Sequence, residues 1–320
     1  MANLKQVRTR IKSVKNLQKI VKALEIVSTI KLQKLKWLIW SYKDFMKSFL
    51  EVLKIVRKEI NLFDFDENSW DPNWKRLLIV VTWDKWLCWS INSRIFKSVE
   101  NKYSQAKENV DIFVIGKKGV EYFVRNWWNV VWTAIISDEV HLAEINPISA
   151  FIKESLEKKK YSKIKVYFNY YINTMNQVFT RFKLYPLDEE SFEAFLNNIG
   201  LKMDLLENID DKYLIVEPDV ETFKFDFMQL LLRTIIFSAV LNNKTTEYAA
   251  RMVAMKNAKD NCGDLLTNLN LLYNKTRQYR ITQEISEIVW ASTAIEQWNI
   301  FYSLWIIDGN EEKNSSKKRN

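Results

Sequence analysis

Apolar side chains recur at three- and four-residue spacing through the last third of the chain, from Pro218 to about Ile307. This spacing is typical of a helix that buries one narrow stripe. Lys259 interrupts the stripe, whose members are Tyr248, Met252, Met255, Cys262, Leu266, Leu269, Tyr273 and Thr276. No proline follows Pro218, and Gly263 is the only glycine inside the run. The pattern predicts one helix of about 120 Å, which needs a partner along its length.

The first sixty residues carry the same spacing and contain no glycine or proline. Asn3 and Gln6 form a capping-box-like start. The apolar positions that follow are Leu4, Val7, Ile11, Val14, Leu17, Val21, Leu24, Leu35, Leu38, Tyr42, Phe45, Phe49, Val52 and Val56. We therefore predict two terminal helices, within residues 1–62 and 212–307, that pair antiparallel as a left-handed coiled coil.

Between these helices the pattern changes to short apolar runs alternating with helix-like segments, which favours βαβ units and a parallel sheet. We predict a Rossmann-like α/β domain over residues 70–211, inserted between the two helices. Its expected strands are 75–82, 111–116 and 129–133, with an edge hairpin at 163–171 and 177–187, and its expected helices are 91–109, 119–126 and 145–159. Residues 64–73 read as a linker, and residues 308–320 as a disordered charged tail.

The net charge of +9 is concentrated at one end of the chain. Residues 1–36 hold one acid, Glu25, against the basic residues Lys5, Arg8, Arg10, Lys12, Lys15, Lys19, Lys22, Lys31, Lys34 and Lys36. A basic helix face favours an acidic protein surface, an anionic membrane or nucleic acid as its partner, or it is simply the solvated flank of the coiled coil. Cys88 and Cys262 lie far apart and outside any ligand motif, which indicates a reduced, cytoplasmic setting.

Candidate catalytic chemistry is scarce. The single histidine, His141, lies in no motif, and we expect a surface or structural role for it. Gly116-Lys117-Lys118-Gly119 lacks the spacing of a phosphate-binding loop and is better read as a strand-to-helix turn. We therefore predict no catalytic, cofactor-binding or metal-binding residues, and a mechanical or scaffolding protein rather than an enzyme.

The two ends of the chain also resemble a known family. The first 36 residues, MANLKQVRTRIKSVKNLQKIVKALEIVSTIKLQKLK, resemble the N-terminal helix of the gamma subunit of F-type ATP synthases. Residues 246–289, TEYAARMVAMKNAKDNCGDLLTNLNLLYNKTRQYRITQEISEIV, resemble its C-terminal helix. TWDKWLCWSIN, GKKG, SDEV and YLIVEPD follow in the family's order, so the resemblance covers about 290 residues.

This resemblance implies the central rotor shaft of a rotary ATPase, one copy per hexamer of alternating alpha and beta subunits. ATP and Mg²⁺ would then bind the partner subunits, while an epsilon-like subunit and a membrane ring, or a substitute for that ring, would bind this chain. It implies a peripheral protein on the cytoplasmic side of the cell membrane. Residues implied to contact the catalytic subunits are Lys22, Leu24, Arg277, Gln278 and Thr282.

The chain departs from the family in its tryptophans. Trp86, Trp89, Ser90, Trp128 and Trp290 stand where the family has glycine, and the chain holds five glycines against thirteen tryptophans. One interpretation is compositional drift in a genome rich in Lys, Ile and Asn codons. The alternative is a docking surface for a new partner, formed by Trp83, Trp86 and Trp89, because exposed tryptophans are favoured interface anchors.

The chain also continues past the family's usual end, through residues 295–307, and Trp298 and Trp305 in this extension are further docking candidates. The extension favours a specialised hydrolysis motor, such as one driving gliding motility, as an alternative to a proton-coupled synthase. Two other classes stay open. One is a basic coiled-coil scaffold that binds nucleic acid or an anionic membrane, and the other is an enzyme that uses the middle α/β domain.

Overall fold

The computed structural model describes residues 4–59, 75–85, 89–186, 188–198, 217 and 219–317, of which 54–59, 89–91, 189, 198, 221, 224 and 303–317 are described by their backbone alone. The helices are α1 (Leu4–Glu59), α2 (Trp89–Tyr103), α3 (Lys117–Arg125), α4 (Asn146–Glu157), α5 (Glu189–Asn198) and α6 (Val220–Lys317). The strands are β1 (Arg76–Val81), β2 (Val110–Ile115), β3 (Asn129–Ala134), β4 (Lys163–Tyr171) and β5 (Gln177–Tyr185). Short 3₁₀ turns cover Ser104–Asn109 and Leu142–Ile145.

The five strands form one sheet in the order β3-β2-β1-β4-β5. β1 pairs in parallel with both β2 and β4, and β2 pairs in parallel with β3. β5 lies at the edge, antiparallel to β4. The predicted parallel sheet and edge hairpin are both confirmed, and the order of the first four strands is that of a Rossmann half.

Both faces of the sheet are covered, as expected for parallel strands rich in Val, Ile and Leu. Leu78 and Val80 of β1 point to one face, where they pack in a cluster with residues of α2 and α3. Leu77, Ile79 and Val81 point to the other face, where the cluster includes residues of α1, α4, α5 and α6. The sheet is therefore the middle of three layers.

The chain divides into two compact units, residues 22–257 and residues 1–21 with 258–320. In the larger unit, α1 and α6 pack antiparallel. The ring of Phe49 stacks on Phe227 with centroids 4.9 Å apart, and the ring of Tyr42 lies 5.8 Å from that of Phe237. The Tyr42 hydroxyl also donates to the Thr234 carbonyl at 3.2 Å. The antiparallel pair is confirmed, while its left-handed twist stays a prediction.

In the smaller unit the same two helices pair through a thinner seam. Val7 of α1 and Cys262 of α6 are buried there. A Cβ built on Gly263 would lie 3.9 Å from the Gln18 side-chain nitrogen, so these positions face each other across the pair. Gly263 is therefore accommodated inside a helix, as predicted from the apolar spacing that continues on both sides of it.

The ends of the helices differ from the predicted bounds. α6 begins at Val220, not near residue 212, and Asp219 caps it by accepting the Thr222 backbone N–H at 2.9 Å. α6 continues to Lys317, through most of the segment expected to be disordered. The single glycine there, Gly309, costs a helix only about 1 kcal/mol and does not end it. Asn3 and the predicted linker at 64–73 lie outside the described residues.

α6 also contains a stretch, within Phe225–Tyr302, that is long enough and apolar enough to cross a membrane. However, 72% of that stretch is buried inside the protein. It belongs to the core described above, which is the ordinary explanation for such a stretch.

Candidate partner-binding surface and ion-pair cluster

The predicted contact residues of α6 all lie on its surface. Arg277, Gln278 and Thr282 are exposed, and so is every described side chain from there to Tyr302. The register of the helix pair explains this exposure. Gln18 of α1 faces Gly263 of α6, and the pair is antiparallel. Counted from these two residues, the first residue of α1 is as far away as Arg277 is on α6, so α1 provides no partner beyond Arg277. α6 therefore continues as a single helix from about Arg277. The Thr282 hydroxyl donates to the Gln278 carbonyl at 3.0 Å, which links two of the predicted positions.

The two predicted contact residues of α1, Lys22 and Leu24, are also exposed. They lie in the larger unit, whereas Arg277, Gln278 and Thr282 lie in the smaller one. Leu24 is the first of several exposed apolar side chains on this part of α1, followed by Ile26, Val27 and Ile30. This strip is apolar and the lysines beside it are basic, so it suits a partner surface with both apolar and acidic groups.

Of the predicted tryptophan surface, Trp83 is the one residue whose side chain the structure describes, and it does not take part. Trp83 is buried, at 1% exposure, and packs against Ala250. Trp83 follows the buried strand β1 and packs beneath α6. The local sequence motif does not show this long-range contact. Trp86 lies outside the described residues, as do the side chains of Trp89 and Trp305. Trp298 is 74% exposed, as a docking residue requires.

The turn at Gly116 confirms the strand-to-helix interpretation, because it joins β2 to α3. Gly116 has a φ of 108°, and a Cβ there would lie 2.5 Å from the Thr82 carbonyl oxygen. The first amides of α3 are already bonded: Lys117 N–H to the Asp84 carboxylate, Lys118 N–H to the Trp83 carbonyl and Gly119 N–H to the Thr82 hydroxyl. Asp84 thus takes the place that an anion would occupy at this helix start.

A cluster of ion pairs lies beside this turn. Lys244 of α6 is almost fully buried and its Nζ lies 2.8 Å from Asp84, 3.9 Å from Asp138 and 3.7 Å from Glu247. Glu247 is itself buried and pairs with Arg251 at 2.5 Å. Lys31 of α1 and Lys85 bind Asp138, the latter at 2.7 Å. We call this set the ion-pair cluster: Lys31, Asp84, Lys85, Asp138, Lys244, Glu247 and Arg251.

The cluster strongly favours the ionised form of Asp138. Burial alone would raise the pKa of this carboxyl, but hydrogen bonds from Lys31 and Lys85 outweigh it and hold the pKa well below its usual range. Because a buried charge needs partners, removing any one of them leaves its neighbours unpaired. The cluster therefore fastens α1, α6 and the loops after β1 and β3 to one another.

Comparison with known proteins decides what these features belong to. A protein-family model described as ATP synthase matches residues 3–295. The ATP synthase gamma chain of Rickettsia felis is 31% identical over 303 residues, covering 92% of this chain and 100% of the relative. That of Clostridium botulinum (strain 657) is 34% identical over 298 residues, covering 92% and 98%. The chain belongs to the ATP synthase gamma chain family.

Solved structures of ATP synthases share the fold. The Euglena gracilis mitochondrial ATP synthase, in a structure of OSCP, F1 and c-ring, contains a chain that matches with a TM-score of 0.62 at 19% identity, covering 91% of this chain and 94% of that one. The central stalk and c-ring structure from Tetrahymena thermophila matches with a TM-score of 0.52 at 23% identity, covering 75% and 99%. A gamma chain is the rotor shaft of the membrane-associated complex and is not itself a catalytic subunit.

The fold of this gamma chain also bears on the enzyme alternative. In sheets of this strand order a dinucleotide binds at the carboxyl ends of the strands, where the order reverses between β1 and β4. Here α6 occupies that crevice. The Asn243 side-chain oxygen accepts the backbone N–H of Asn169, near the carboxyl end of β4, at 3.2 Å, and Lys244 binds Asp84, which follows β1.

Metal and acid–base chemistry find little support in the described part of the gamma chain. No group of three or more His, Cys, Asp or Glu that could hold a metal ion occurs among these residues. The His141 side chain is exposed, and its backbone N–H donates to Glu144 at 3.1 Å. His141 therefore starts a short helical turn, in line with the expected structural role. Sequence reasoning missed the ion-pair cluster, although Lys244, Glu247 and Arg251 follow an apolar run at helical spacing.

Proposed function

We propose that this gamma chain is an asymmetric cam that turns inside a ring of alternating alpha and beta subunits. The observation that carries the proposal is the exposed single helix from Arg277 to Tyr302, which follows directly on a paired and partly buried segment of the same helix. Its apolar side chains, among them Ile281, Ile285 and Ile288, are exposed, so the helix needs a surrounding surface to cover them. The bore of a subunit ring provides one.

Coupling then follows from differential contact. As the shaft turns, Arg277, Gln278 and Thr282 meet each catalytic subunit in succession, and Lys22 and Leu24 meet the acidic and apolar surface of the same subunits. A contact that is stronger in one conformation of a catalytic subunit shifts that subunit toward it. ATP and Mg²⁺ bind the catalytic subunits, and this chain binds no cofactor of its own.

We propose that the larger unit binds the remaining rotor subunits. We place an epsilon-like subunit and the membrane ring on its surface, on the cytoplasmic side of the cell membrane. The ion-pair cluster supports this assignment, because it joins both long helices to the loops of the sheet. Torque applied to the sheet domain would therefore reach α1 and α6 without slippage between them.

The experiment is to replace Arg277 by alanine in the complex reassembled with its alpha and beta subunits. We expect ATP-driven rotation to fall about fivefold or more, the lower range of a typical coupling energy, with assembly unchanged. Lys256→Ala is the matched control, since Lys256 is exposed on the paired part of the same helix. Equal rates for Arg277→Ala and the control would contradict the proposed contact.

One observation favours the specialised-motor alternative. The family match ends at residue 295, whereas α6 runs on to Lys317. The described side chains just beyond this end include Ile300, Phe301 and Tyr302, and all three are exposed. We propose that this extension, residues 295–320, contacts a component that ordinary gamma chains do not meet. Gliding motility as the process served remains a prediction.

A further inference from the structure

The balance of glycine and tryptophan in this chain is unusual. Five glycines among 320 residues are far below the usual share, and thirteen tryptophans exceed them. The two residue types together come close to the glycine share of about 7% that is typical of proteins. This balance raises the question of whether the positions that hold tryptophan have surroundings better suited to glycine.

The surroundings of the tryptophans are unlike those that the residue normally has. Five of the eight described side chains are at least 65% exposed: Trp37, Trp40, Trp127, Trp290 and Trp298. Two more, Trp83 and Trp128, are buried with an indole N–H that has no hydrogen-bond partner among the described residues. Tryptophan usually buries most of its ring and, when buried, gives its N–H a partner. Only Trp132, which packs edge-on against Phe151, has an ordinary setting.

Trp127 is the most telling of these positions. It follows the end of α3 with a φ of 59°, in the left-handed region. The Trp128 N–H bonds to the Phe123 carbonyl at 3.0 Å and the Trp127 N–H to the Val124 carbonyl at 3.2 Å. This pair of bonds defines a Schellman motif in which Trp127 takes the position that is usually glycine. Its indole is 90% exposed, so packing does not offset the strained backbone.

A docking surface does not account for this set. The five exposed positions lie on α1, after α3 and on α6, and they belong to both compact units. An interface anchor explains an exposed ring, but it does not favour a left-handed backbone at Trp127, a conformation that Val140 and Lys159 share among the described non-glycine residues. Glycine explains both observations, because it has no ring to bury and adopts positive φ without strain.

We propose that the cell that makes this protein inserts glycine at positions 37, 40, 127, 290 and 298, through a codon that is read as tryptophan elsewhere and as glycine in that cell. In the two long helices glycine costs about 1 kcal/mol of helix stability per position. α1 and α6 are then softer at these points than the tryptophan-containing chain. The proposal concerns the residues themselves and stands apart from the rotor function.

The test is tandem mass spectrometry of the protein purified from its native cell, with peptides covering the five positions. We expect each peptide to be lighter by the difference between an indole side chain and a hydrogen atom, and to read glycine at that position. The native protein should also absorb less in the indole band than a recombinant chain made with tryptophan. Tryptophan at any one of the five positions would overturn the proposal.

Discussion

At the scale of single residues, backbone strain at Trp127 gives a prediction that needs only the recombinant chain. Replacing Trp127 by glycine relieves a left-handed conformation that costs an ordinary residue about 1 kcal/mol or more, and little packing is lost because the ring is 90% exposed. We expect a higher urea midpoint for the Trp127→Gly variant. Lys159 has a φ of 47° in a second Schellman motif after α4. Lys159→Gly therefore tests the same backbone effect at a second position and should also raise the urea midpoint.

The glycines that are present differ in what they require. A Cβ on Gly119 would lie 2.5 Å from the Thr82 hydroxyl and 2.7 Å from a Val114 methyl group. Overpacking of this kind costs about 2 kcal/mol, so we expect Gly119→Ala to lower the urea midpoint. Gly263 has nothing nearer than 3.9 Å, and Gly263→Ala should raise the midpoint, because alanine favours a helix. Equal effects of the two variants would contradict the contact geometry.

At the scale of secondary-structure elements, the ion-pair cluster predicts how stability depends on pH. The pKa of the Asp138 carboxyl is lower in the folded protein than its ordinary value of about 3.9. Its stabilising effect is therefore complete above that ordinary value and is lost as the pH falls through the lower, folded value. We expect the urea midpoint of the wild type to fall steeply below about pH 4, and that of Asp138→Asn to be lower at neutral pH and to fall less.

The control for this profile is Asp44→Asn, which removes a surface carboxylate of α1 that pairs with Lys47. We expect Asp44→Asn to follow the wild-type profile. If Asp138→Asn and Asp44→Asn gave the same slope, Asp138 would not be the group responsible for the acid-dependent loss.

The elements themselves were largely readable from the sequence, because each rests on a local pattern. Heptad spacing predicted α1 and α6, and short apolar runs predicted all five strands with the edge hairpin. The candidate site was less readable. Lys244, Glu247 and Arg251 look like a solvated helix face, and only the crossing of α6 over the ends of β1 and β4 buries them. Trp83 is buried for the same reason, since long-range packing overrides a local motif.

At the scale of the whole molecule, the part of the chain that matches the family and the part of α6 beyond that match need separate explanations. Relatives align over 92% of this chain, so most of its length serves the shared rotor role. The segment beyond residue 295 either has a different role or has none. Its exposed aromatic side chains favour a role in binding another protein.

The last prediction separates these possibilities with two truncations. Removing residues 295–320 takes away the exposed aromatic segment, and we expect it to reduce recovery of a partner other than the alpha and beta subunits while leaving the ring assembled. Removing only residues 308–320 keeps Ile300, Phe301 and Tyr302, so this control should behave as the full chain does. The measurement is quantitative mass spectrometry of the complex purified from the native cell. Unchanged assembly and unchanged partner recovery in the longer truncation would refute the contact, whereas loss of the alpha and beta subunits would show that the extension serves the ordinary rotor interface.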